Sequence, residues 1–172
     1  LDANPNQLAG KMRKVGPSLA HVALKTNSDW LSRWIRKPTD FRPNTRMPQF
    51  FDLSNQQDGH GKQFGEVEIA AVTHFLLETS KQASTDFQLD TVPRDVTPDA
   101  KRGAIAFRER GCLACHSHNR FNDVEAYRPP NEIVQGPDLS NLAAKFNSPD
   151  GRRWLYSWIR EPTRDHARTV MP

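Results

Sequence analysis

Cysteine is nearly absent from this chain: there are two in 172 residues, Cys112 and Cys115. Two cysteines cannot build the scattered set of bridges that staples small secreted folds, and a bridge across so short a loop would constrain little chain. Long apolar runs are missing too. No stretch of about eighteen consecutive apolar residues occurs, so no membrane-spanning helix is expected. Residues 1 to 14 lack the apolar centre of a secretory leader, so any export signal is expected to have been removed or never included. Hydrophobic residues amount to 36%, mean hydropathy is −0.75 and there are 13 prolines, a balance that builds small cores and long surface loops. Cores of that size commonly need an added staple, such as a metal or a bound group. The formal charge of +4 and the pI near 9.3 are a mild, dispersed excess of base. That suits an acidic partner or an anionic surface and is too weak to argue for nucleic acid. The length fits one ordinary domain or two small ones.

The cysteines lie in Arg-Gly-Cys-Leu-Ala-Cys-His-Ser-His, residues 110 to 118. A thioredoxin-type dithiol should end a strand in a βαβ context, and none is visible. A structural zinc site needs four ligands, usually with a second Cys or His pair at comparable spacing; His21, His60, His74, His118 and His166 offer no such pair. Cys-x-x-Cys-His as a c-type haem attachment uses every residue of the motif. The thiols of Cys112 and Cys115 would join the haem vinyl groups as thioethers, and the imidazole of His116 would become the proximal iron ligand.

Upstream, Thr97 as N-cap, Pro98 at the first helical position and Asp99 in the first turn predict a helix that Gly111 stops. Gly103 and Phe107 share one face of it, which is either ordinary packing or a close crossing with another helix. Downstream come Gly-Pro-Asp-Leu (136–139), then a helical Trp-Leu-Tyr-Ser-Trp-Ile-Arg-Glu-Pro (154–162) and a final Val-Met-Pro. In these elements the chain resembles the class I c-type cytochromes. The resemblance implies that the Pro137 carbonyl accepts the Nδ1 proton of His116, since an axial imidazole needs its far nitrogen tied. It implies Met171 as the sixth ligand, and it places Leu139, Trp154 and Trp158 around the cofactor.

The segment from Gly16 repeats the segment from Gly136. Gly16-Pro17, Leu19 and Lys25 match Gly136-Pro137, Leu139 and Lys145. After four inserted residues, Trp30, Trp34, Pro38 and Met47-Pro48 match Trp154, Trp158, Pro162 and Met171-Pro172. A repeat of this length implies duplicated domains. Each tryptophan pair shares a helix face, either as plain core or in contact with haem, by the ring or through an indole N–H to a propionate. The first copy has no Cys-x-x-Cys-His before it. It is followed by a periodic apolar stretch at 65–77 (Val67, Ile69, Ala70, Val72, Phe75, Leu76) that predicts an amphipathic closing helix. The second copy has its motif and first helix, but no closing helix.

The expectation is an all-α protein of two cytochrome c-like domains. The first, 1–80, lacks its haem-attachment part; a linker at 81–95, whose polar composition begins at 79, leads to the second at 96–172, which lacks its C-terminal helix. The two halves could alternatively complement each other, with helix 66–78 docking on helix 98–110. Arg152, Arg153 and Arg160 read as surface charges or as partners of haem propionates. The function implied is one-electron transfer, not enzymatic, by a low-spin His116/Met171 haem c. Met47 would serve a second haem whose attachment motif lies outside these residues. The resemblance also implies an extracytoplasmic, for instance periplasmic, location, and redox partner proteins with acidic surfaces or further cytochrome domains or subunits. Two alternatives are an electron-relay part of a haem enzyme of the dihaem peroxidase kind and a haem-based sensor.

Overall fold

The computed structural model describes residues 16–55, 58–83, 87–126, 136–167 and 169–172. Residues 1–14, which lack a leader's apolar centre, lie outside them, as does Pro129-Pro130 after the cysteine motif. Every regular element among the described residues is helical: α1 (Val22–Lys25), α2 (Ser28–Arg36), α3 (Gly59–Ala83), α4 (Ala100–Glu109), α5 (Asn122–Glu125), α6 (Leu142–Lys145), α7 (Pro149–Arg160) and α8 (Pro162–Asp165), with 3₁₀ turns at Pro38–Asp40, Cys112–Ala114 and Asn119–Phe121. No helix is long and apolar enough to cross a membrane among these residues.

The sequence repeat is a structural repeat. Short α1 and longer α2 correspond to α6 and α7. Asn27 caps α2 by accepting from Trp30 N at 2.9 Å, and Ser148 caps α7 by accepting from Gly151 N at 2.9 Å. Asp29 and Asp150 sit in the first turns and Arg36 and Arg160 in the last, each complementing the helix dipole. Both helices stop before a proline, because the ring at position i disfavours helical angles at i−1. Lys37 (φ −148°, ψ 83°) and Glu161 (φ −151°, ψ 79°) adopt nearly the same non-helical conformation.

Two small cores result. The first gathers Val22, Leu31, Ile35 and Ile69, so α3 closes over α1 and α2. Buried Ser80 joins them by accepting from Ala23 N at 2.9 Å. The second gathers Leu89, Phe146 and Trp154, with Leu24 of the first copy packed against it. The halves meet crosswise, α1 lying on α7. The Lys25 ammonium stands 5.1 Å from the Trp154 ring centre, and that of Lys145 stands 4.4 Å from Trp30. Asn27 donates to the side chain of Asn147 at 3.1 Å. Lys25 pairs with Lys145 in the repeat, Trp30 with Trp154, and each asparagine lies two residues after its lysine. Equivalent residues thus exchange partners, which is the geometry of a two-fold contact, here within one chain.

Several expectations change. The N-cap of α4 is Asp99, not Thr97: its carboxylate accepts from Arg102 N at 2.7 Å. An ionised cap at the positive end of the helix is the stronger device. Gly111 does stop the helix, at φ +78°. Among the described residues no second helix crosses at Gly103, where a Cβ would meet nothing within 4 Å. Phe107 stacks instead on Phe121, at 5.6 Å. The stretch read as linker is partly helix, since α3 runs through Ala83. Further along, it is strapped to the second half. Leu89 enters the second core, Asp90 N donates to Ser157 Oγ at 2.7 Å, and the Asp90 carboxylate pairs with Arg164 at 2.8 Å. Arg153 donates to Leu89 O at 3.0 Å. Of the apolar residues counted on α3, Ile69 is buried, whereas Val67, Val72 and Phe75 are exposed. Ile69, Leu76 and Leu77 face the first core beside buried Thr73 and Ser80, so the helix carries apolar residues on two sides. Its principal packing is on α1 and α2, not on α4 as the complementation alternative has it.

Candidate functional site

The local structure of the cysteine motif follows from Gly111. Its left-handed conformation turns the chain out of α4 into a 3₁₀ turn, Cys112–Ala114. Cys115 N and His116 N both bond to Cys112 O, at 3.2 and 3.0 Å. Residues three apart in a 3₁₀ turn eclipse each other, so the two sulfur-bearing side chains leave one side of it. Buried Leu113 pins the turn from the other side. No disulfide joins Cys112 to Cys115. Among the described residues, no three His, Cys, Asp or Glu side chains are grouped to hold a metal ion, so no zinc-type cluster forms around the motif there.

Residues 136–140 run alongside 115–119. Gly136 N donates to Cys115 O at 2.7 Å, and Leu139 N donates to Ser117 O at 2.9 Å. Ser117 donates to the Asp138 carboxylate at 2.7 Å, and Asn119 N to Ser140 Oγ at 2.9 Å. Burial alone would raise the Asp138 carboxyl, but hydrogen bonds from Ser117 and Ser140 outweigh it and hold it below the ordinary value. The pairing brings the Pro137 carbonyl 2.8 Å from His116 Nδ1. A carbonyl can only accept, so Nδ1 carries a proton, and in the neutral ring Nε2 is the nitrogen with the lone pair. A Cβ on residue 136 would collide with the imidazole and with Cys115 O; only glycine lets the strap lie this close.

The remaining predicted residues form a second group. Trp154 stacks on Phe146 (5.5 Å, 10°) and on Trp158 (5.3 Å, 15°). The Trp158 indole N–H donates to the Met171 sulfur at 3.1 Å, so its partner here is a thioether. Met171 N is tied to Thr169 Oγ1 at 3.2 Å. The first copy repeats the tryptophan stack and both methionine contacts, while Thr26 stands where the second has Phe146. Trp30 stacks on Trp34 (5.2 Å, 14°), Trp34 donates to the Met47 sulfur at 3.0 Å, and Met47 N bonds to Thr45 Oγ1 at 3.2 Å. Arg153 pairs with Asp150, and Arg160 with Asp90, at 3.4 and 3.9 Å.

Three features escaped the sequence reading. The Thr-x-Met spacing before both Met-Pro pairs was a visible signal. The Ser117–Asp138 bond had none. The crossing of Lys25 and Lys145 had only their equivalence in the repeat, which does not say whose ring each one meets. No protein family, curated protein or solved structure matches the chain.

The donor set suits a covalently held haem. Two thiols leave one side of a turn, the adjacent imidazole has its far nitrogen tied, the backbone behind it is bare, and a thioether is fixed on a separate loop. Cys112 and Cys115 would carry the thioether links, and His116 and Met171 the iron.

Proposed function

We propose that this chain carries single electrons on a haem c attached through Cys112 and Cys115, with His116 and Met171 as axial ligands, and that each half is a cytochrome c-like unit. When bound, the haem supplies an iron that alternates between ferric and ferrous states by one electron. The observation that carries the reading is the His116–Pro137 bond at 2.8 Å over Gly136. It leaves Nε2 as a fixed σ-donor, the tautomer that an axial ligand requires. The pair of protein ligands leaves no coordination position for substrate, which favours electron transfer over catalysis or sensing. A thioether on one side favours reduced iron relative to a second imidazole.

The first copy supports a second haem. Met47 is held by Trp34 and Thr45 just as Met171 is held by Trp158 and Thr169. Its Cys-x-x-Cys-His would come from a segment or partner outside these residues. Thioether attachment of haem belongs to compartments outside the cytoplasm, and the basic balance of the chain suits acidic redox partners.

Mass spectrometry of the denatured chain, produced with haem-attachment machinery, should show one haem adduct. The ferric protein should show the weak near-infrared Met–Fe(III) band, lost in Met171→Ala. An apo mass or stoichiometric zinc would end the reading. A band that survives Met171→Ala would reassign the sixth ligand.

A further inference from the structure

Each copy aims an indole N–H at a methionine sulfur thirteen residues later, Trp158 at Met171 (3.1 Å) and Trp34 at Met47 (3.0 Å). The intervening loops begin alike, with Pro-Thr, and both have a threonine two before the methionine. Between those points they differ entirely: Arg-Asp-His-Ala-Arg at 164–168 against Asp-Phe-Arg-Pro-Asn at 40–44. Incidental packing gives no reason for two unlike loops to arrive at the same donor, the same acceptor and the same length. A thioether is a weak acceptor, and a half-buried indole N–H has water as a better one. In both copies the donor is held in place from behind, by the stacks of Trp158 on Trp154 and of Trp34 on Trp30. Trp154 is only 6% exposed and is itself stacked on Phe146. The methionine backbone is fixed as well, through the threonine hydroxyl.

A thioether sulfur has two lone pairs. When one accepts the indole proton, the other is left at a fixed angle for a metal. We propose that Trp158 is a positioning residue for the Met171 thioether, and Trp34 for that of Met47. The N–H engages one lone pair, so that the second faces the iron in a single orientation. It also draws electron density from the sulfur, which weakens donation to ferric iron and favours the ferrous state. Indole is a donor only and does not titrate near neutrality, so the effect is independent of pH. This inference rests on Met171 being the axial ligand.

The test uses the haem-loaded full chain with Trp158→Phe, which keeps an aromatic ring and removes the N–H. The near-infrared band should persist at a shifted position. At a fixed ambient potential the ferric-to-ferrous ratio should rise, by at most about fivefold, the worth of one whole neutral hydrogen bond, and equally at pH 6 and pH 8. If Trp158→Phe does not fold, benzothienylalanine at position 158 keeps the bicyclic shape without the N–H and should give the same shift. Trp34→Phe should leave the ratio at the attached haem unchanged. A ratio unmoved by removal of the Trp158 N–H, with the band intact, overturns the proposal. So does an equal shift from Trp34→Phe, which would mean a general loosening of the fold. Absence of the band from the unsubstituted chain would remove Met171 as ligand, and is thereby told apart from failure of the Trp158 role alone.

Discussion

Lys145 stands half-buried over Trp30 at 4.4 Å and over Phe146 at 5.2 Å, with the Lys25 ammonium as a like-charged neighbour and Asp165 the carboxylate acting on both. Burial first, and the Lys25 charge second, lower its pKa from an ordinary 10.5 to about 7, against the opposing pull of Asp165. Between those two values the unfolded chain holds a proton that the folded chain does not. Stability carried by this group is therefore least below pH 7 and rises with pH towards 10.5. Lys25 is shifted in the same direction, by burial, with Asp165 again opposing. The urea midpoint of the haem-free chain should accordingly climb from pH 6.5 to 9.5, and Lys145→Met should flatten most of that climb. A slope identical in the variant would assign the pH dependence elsewhere. At this scale the sequence was readable in the bond from His116 to the Pro137 carbonyl and in the helix stop at Gly111. It was not readable where a side chain's surroundings come from the other half: nothing within a few positions of Lys145 says that it will meet Trp30.

Helices α2 and α7 are the best-signposted elements, since each has a polar cap, an acidic first turn, a basic last turn and a proline stop. Their caps differ in one respect. Ser148 accepts from Gly151 N, whereas Asn27 accepts from Trp30 N and also donates across the interface to Ala144 O (2.9 Å) and Asn147 (3.1 Å). Ser148→Ala should cost about 1 kcal/mol, the ordinary worth of a cap. Asn27→Ala should cost about twice that, because the acceptors Ala144 O and Asn147 Oδ1 on the facing copy lose a partner as well. Equal losses in denaturant titrations would show that the crossing bonds contribute nothing net. The start of α4 was misjudged by two residues because Thr97-Pro98-Asp99 offers two competing caps, and the charged one wins. The periodicity of α3 was real but incomplete: it located the helix without revealing that Phe64, Val67 and Phe75 line a side left uncovered here.

For the molecule as a whole, the repeat made the duplication legible, but not the way the copies face each other. That arrangement depends on Lys25 over Trp154, Lys145 over Trp30, the Asn27–Asn147 contact, and Leu24 and Leu89 entering the second core. At pH 5.5, where Lys145 keeps its proton, double-mutant cycles should find coupling in both cation–π pairs, Lys25 with Trp154 and Lys145 with Trp30, each about 0.5–2 kcal/mol. Coupling in only one pair would mean that the halves are not related by a two-fold axis in solution. The same crossing in a true homodimer would come apart on dilution, and every substitution would strike it twice. Joined in one chain, the two faces meet at an effective concentration set by the connecting residues and independent of how much protein is present. A change in one copy is then felt once. The copies can keep a common interface while diverging elsewhere, one bearing Cys112, Cys115 and His116 and the other retaining Met47 in a loop of different sequence.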